Sequence, residues 1–189
     1  MNLDYRSLSW RLGLICVVTV VFQIAAVSQV KIFGLNADLV PLVAASVGLI
    51  LGSLPGAIFG FAIGMLLDLA LVETVGVASL ILLAIGFAAG RLRELRDPQG
   101  AIVPLLVGAA ATAAAQAGFL VLTFLLGQPV PFGWALLWDL LGTVAVNAAI
   151  AIPVFLVVRR CLIAALPEDP RRRRRRAYTT GGLSPLSRS

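Results

Sequence analysis

Asp68 and Asp139 are carboxylates set inside long apolar runs. An acid placed there has two uses: it binds a proton or a small polar ligand, or it bonds to polar groups on neighbouring helices. Asp68 closes a ladder with Gly56, Gly60 and Gly64 at steps of four residues. On a helix turning about 100° per residue, such steps hold one drifting stripe, and the missing side chains let another helix approach closely. The acid at its end then meets protein rather than lipid. At a bilayer centre it costs roughly 2.5–3.5 kcal/mol, while each of the nine Ile, Leu, Phe and Val residues from Ile58 to Val72 returns roughly 0.3–0.6 kcal/mol. These terms nearly cancel, so the segment depends on its neighbours. Gly56, Gly60, Gly64 and Asp68 are therefore candidates for helix packing or partner binding.

Asp139 begins a second stripe, with Thr143 and Asn147 at further steps of four. With Gln116 these residues form a candidate intramembrane polar network, to which Thr112 and Thr123 on one side and Thr19 and Gln23 on another could add. One reading is a polar pocket open to the outer side. The other is internal bonding to hydroxyls, amides and interfacial water. No Lys or Arg lies within a span to pair with either acid, so no substrate ion pair is assigned. Small residues recur at Ala44, Gly48 and Gly52 and at Gly86 and Gly90, where close packing is expected.

The chain offers no catalytic set. It has no His, its cysteines Cys16 and Cys161 lie far apart, and it carries no nucleophile elbow, P-loop, dinucleotide fingerprint or metal-ligand spacing. Enzyme activity and a bound cofactor or metal are not expected.

These residues are carried by an unusually apolar chain. Of 189 residues 60% are hydrophobic and 13% charged, with a mean hydropathy of +1.00, which excludes a soluble domain with a polar surface. The long uninterrupted runs favour helices over the alternation of a β-barrel. Six spans are predicted, at 12–30, 39–53, 55–72, 75–90, 101–126 and 132–158. The fold expected is an all-α integral membrane protein, a six-transmembrane-helix bundle (1–166) with short middle helices. The second span, about 22 Å long at 1.5 Å per residue, falls short of a roughly 30 Å hydrocarbon core.

With the N-terminus inside, fourteen of the fifteen basic residues lie on the cytoplasmic side and only Lys31 lies outside; five against one remains after the C-terminal set is discounted. Both termini are expected to be cytoplasmic. After Pro167 the chain becomes polar, with Arg171, Arg172, Arg173, Arg174, Arg175 and Arg176 in a tail, 167–189, expected to be disordered. Each arginine near an anionic leaflet gains about 1 kcal/mol, which points to anionic lipid, with an acidic cytoplasmic partner as the sharper alternative and nucleic acid the least favoured reading.

The run Gly60-Phe61-Ala62-Ile63-Gly64-Met65-Leu66-Leu67-Asp68, followed by Gly76 and by Gly86-Phe87-Ala88-Ala89-Gly90-Arg91, resembles the rod shape-determining protein MreD family. Asn147, Pro153 and Arg159-Arg160 in the final span are also similar, and the resemblance covers roughly residues 10–162. One departure is Ala37-Asp38-Leu39 with Pro41, where the family often has Pro-Asp-Leu. The resemblance implies a non-enzymatic scaffold subunit of the bacterial cell-elongation machinery in the inner membrane. Its implied partners are MreC, the actin-like MreB and peptidoglycan synthases. An alternative of another class is the substrate-binding membrane subunit of an energy-coupling-factor-type vitamin transporter, which only the six-span architecture supports; a proton-coupled carrier would need Asp68 or Asp139 to titrate.

Overall fold

The computed structural model describes residues 5–27, 31–32, 35–72, 74–95, 102–127 and 133–163. The tail 167–189, with Arg171 to Arg176, lies outside the described residues. Six α-helices follow in order: α1 (Tyr5–Phe22), extended by a π-helical stretch Gln23–Val27, then α2 (Leu39–Leu51), α3 (Ser53–Leu71), α4 (Val77–Leu95), α5 (Ile102–Leu125) and α6 (Trp134–Ile163). Between α1 and α2, β1 (Lys31–Ile32) pairs antiparallel with β2 (Leu35–Asn36), a small departure from the all-helical expectation.

Proline and glycine set the helix ends. Pro41, Pro55 and Pro104 each occupy the third position of their helix, where a backbone N–H would have no partner within the helix. Gly52 at φ +106° breaks the chain in one residue between α2 and α3, a conformation that L side chains rarely adopt. Val72 ends α3 in the left-handed region and donates its N–H to the Asp68 carbonyl; Gly76 at φ +103° then leads into α4. Pro153 stands inside α6 and removes one bond from that ladder.

The shortest helix is the most buried. In α2, every residue from Val40 to Ile50 is buried, which is why the helix is apolar all round. The longer helices surround it and turn large apolar side chains outward, among them Leu14, Val18, Ile58, Leu69, Leu106, Phe124 and Leu141. Among the described residues four segments are long and apolar enough to cross a membrane: Leu8–Ala25, Ser53–Leu71, Ile102–Leu125 and Leu136–Leu162. Helix α4 is apolar through Gly90 and ends in Arg91, Arg93 and Glu94. The α2 helix, 13 residues or about 20 Å, is the shorter apolar helix.

Candidate functional site: the Asn147 knot and the capped hairpin

Asn147 is fully buried on α6, and both ends of its amide are used. Its Oδ1 accepts the Asp38 N–H at 3.0 Å, and its Nδ2 donates to the Asp38 carbonyl at 2.9 Å and to Thr112 Oγ1 at 3.0 Å. The Thr112 hydroxyl donates in turn to the Gly108 carbonyl at 3.0 Å. The side chain thereby pairs with the Asp38 peptide much as a neighbouring strand would.

The start of α2 accounts for this arrangement. The first N–H groups of a helix have no partner within it, and buried ones must find side-chain acceptors. Here the Asp38 N–H goes to Asn147, the Leu39 N–H to Gln23 Oε1 at 3.0 Å, and the Val40 N–H to the Asp38 carboxylate at 3.2 Å. Pro41 has no N–H to satisfy. Gln23 belongs to the π-helical stretch after α1, so the knot joins α1, α2, α5 and α6. Thr112 lies ten residues into α5 and Asn147 thirteen into α6, about 15 and 20 Å along their axes. Helix α2 therefore begins near mid-height of the bundle.

Of the four residues expected to form the intramembrane polar network, Asn147 is the one hydrogen-bonded in this knot. Thr143 is buried, Gln116 half-buried and Asp139 exposed on α6, and the structure gives none of these three a bond to Asn147. Asp139 stands four positions before Thr143, one turn nearer the start of α6, and on a helix at the margin of a bundle that step carries its side chain out of the interior. Asp38 is the knot member not placed there from the sequence, whereas Thr112 and Gln23 are among the residues expected to add to the network. A local signal for Asp38 exists, an Asp before an apolar run with Pro in its first turn.

The glycine ladder faces α4. A Cβ at Gly56 would stand 2.5 Å from the Gly86 carbonyl oxygen, one at Gly60 would run into the Leu82 carbonyl, and one at Gly64 would lie 2.5 Å from the Ser79 Cα. The approach is reciprocal: Gly86 meets the Gly56 backbone, Gly90 meets Gly52 and Ser53, and Gly48 of α2 meets Gly86. These are backbone contacts, so no side-chain rotation would relieve an added carbon.

Each end of that seam is closed by an acid reaching across. Asp68 is 1% exposed; its Oδ2 accepts the Gly76 N–H at 2.7 Å and the Ser79 hydroxyl at 3.4 Å, and its Oδ1 accepts the Ala78 N–H at 3.2 Å. It thus caps the N-terminus of α4, where the helix dipole favours a negative charge. At the opposite end, Glu94 of α4 accepts the Ser53 N–H at 3.1 Å and its hydroxyl at 2.6 Å, capping α3. These bonds, the Ser53 hydroxyl first and a nearby Arg91 guanidinium at 3.4 Å, hold the Glu94 carboxyl below its ordinary value of 4.5. Glu94 had no distinguishing signal in the sequence, where it sits among arginines like any surface acid.

The arrangement positions helices; it aims no nucleophile or base at an open space. Among the described residues every buried side-chain nitrogen and oxygen has a hydrogen-bond partner. No curated protein and no solved structure gives a significant match to the chain. The family model described as rod shape-determining protein MreD matches residues 5–161. With its glycine seam, its capping acid Asp68 and its buried Asn147 all inside that match, this chain belongs to the MreD family.

Proposed function

We propose that the protein is a non-enzymatic membrane scaffold of the cell-elongation machinery, seated in the bacterial inner membrane with both termini cytoplasmic. In this reading it binds MreC and helps couple MreB filaments to peptidoglycan synthases. Membership of a rod shape-determining family carries the proposal.

The disposition of polar groups supports it. Asp68 is committed to the start of α4 and Asn147 to the start of α2, so neither offers a free group to a saturable ligand. The vitamin-transporter reading is left with helix number alone in its support. The apolar perimeter also suits a bilayer: Trp10 is exposed near the start of α1, while Trp134 and Trp138 are exposed at the start of α6, the opposite end of an antiparallel bundle. Tryptophan is enriched at both membrane interfaces.

The test is depletion in the native cell together with affinity capture from detergent-solubilised membranes. Loss of rod shape on depletion and co-elution of MreC are expected. Cells that keep their shape, or that become vitamin auxotrophs, would overturn the reading.

A further inference from the structure

A groove of about 670 Å³ runs between α1, the start of α2 and the second half of α6. Leu14, Val18 and Phe22, Leu39, and Val154 and Val157 are among the residues of its wall, and its lining is almost wholly apolar. Its length is the informative quantity. From Leu14 to Phe22 α1 rises about 12 Å, and from Ile150 to Cys161 α6 rises about 16 Å. Half of a roughly 30 Å hydrocarbon core is about 15 Å. The groove stops there because α2 begins at mid-height, with Ala37 and Leu39 at the closed end. A crossing helix of about 20 residues needs a seat twice as long, whereas one lipid chain of a single leaflet fits it.

Charge at the open end agrees. Arg11 lies one turn before Ile15, on the groove face of α1, and its guanidinium donates to the Cys161 carbonyl at 3.0 Å. A guanidinium has five N–H donors, so that one bond leaves others for an anion at this end of the groove. At about 100° per residue Arg160 flanks the groove side of α6, while Arg159, also exposed, falls on the opposite face. At the closed end, Asp38 accepts from Val40.

We propose that this groove holds one acyl chain of an anionic phospholipid of the cytoplasmic leaflet, with its phosphate against Arg11 and Arg160. The proposal rests on the membrane orientation given above. It makes the protein selective for a lipid class at a defined site, apart from any general adhesion of the arginine tail.

Native mass spectrometry tests this on the full chain released from nanodiscs of phosphatidylcholine with one tenth phosphatidylglycerol. One phosphatidylglycerol should be retained per chain. R11Q/R160Q should lower that retention about tenfold or more, from about 1 kcal/mol per arginine, whereas R159Q should not. Val154→Trp, which fills the groove, should abolish retention while circular dichroism and the thermal midpoint show the fold intact. Equal retention of phosphatidylcholine, equal damage by R159Q, or undiminished binding by a folded Val154→Trp would overturn the proposal. So would a Val154→Trp chain that sheds a co-purifying membrane protein but keeps its lipid, since the groove would then seat a partner helix. Protease protection of the termini in sealed membrane vesicles from the native cell separates the two readings: a correctly oriented chain without lipid sinks only the groove, and an inverted one sinks the orientation.

Discussion

At the scale of single residues, Asn147 shows why a neutral amide can matter more than an acid in this chain. Hydrogen bonds between membrane helices average only about 0.6 kcal/mol, because partners separated from one another find new ones. Asn147 bonds instead to both polar groups of the part-buried Asp38 peptide, which lose their partner when the side chain is removed, so the penalty for leaving polar groups unsatisfied applies. Asn147→Leu is expected to cost about 2–4 kcal/mol, read as a lowered unfolding midpoint in detergent; a loss below about 1 kcal/mol would mean that water or Thr112 replaces it. Glu94 gives a pH signature. Its carboxyl is held below its ordinary value in the folded chain, so the stability it contributes is present above pH 4.5 and is lost as pH falls through the folded value. Acid titration of the thermal midpoint should show that component in the wild type and not in Glu94→Gln. Asp68 stands out in the sequence because an acid in an apolar helix is costly. Its partners lie within about ten residues, just past the glycine that opens the next helix. The partners of Asn147 could not be read in the same way: Asp38 is 109 positions away in the chain, and nothing local encodes that encounter.

At the scale of elements, the period of four in Gly56, Gly60 and Gly64 is legible as a smooth face, because helical geometry alone fixes it. Which helix fills the face is not, since α2, α4 and an outside partner all offer small residues. The α4 backbone occupies it, joined at Gly56 by Gly48 of α2. Gly60→Ala should therefore destabilise the hairpin by about 1–3 kcal/mol, because the obstacle is the Leu82 carbonyl rather than a movable side chain. Gly13, in α1, has open space where a Cβ would stand, with nothing within 4 Å, and Gly13→Ala should stabilise by about 0.5–1 kcal/mol through helix propensity. Paired unfolding curves in one detergent decide both, and equal shifts would contradict the seam. The shortness of α2 is also visible in the sequence. Its depth is not, because that depends on the side chains of Gln23, Asn147 and Thr112 that receive its first turn.

At the scale of the molecule, the distribution of basic residues bears on orientation and the two cysteines make it measurable. Cys161 is exposed near the end of α6 and Cys16 is buried. A membrane-impermeant maleimide should label Cys161 in inside-out vesicles and not in sealed cells, and Cys161→Ser should remove the signal. Labelling from the cell exterior would reverse the proposed topology. Hydropathy alone yields the all-helical class, since long apolar runs admit little else. The groove beside α6 is beyond its reach, because a cleft depends on where helices diverge.

The reciprocal caps of α3 and α4 also have a mechanical consequence. Asp68 grips the start of α4 at one end and Glu94 grips the start of α3 at the other, so sliding the helices past each other one way extends both grips and sliding them the other way crowds both. The glycine seam between them contains no side chain that could flex to absorb the motion. Tension along the bundle axis would pass through this pair with little play. Compliance is left to α1, whose span is the least buried of the four long apolar segments.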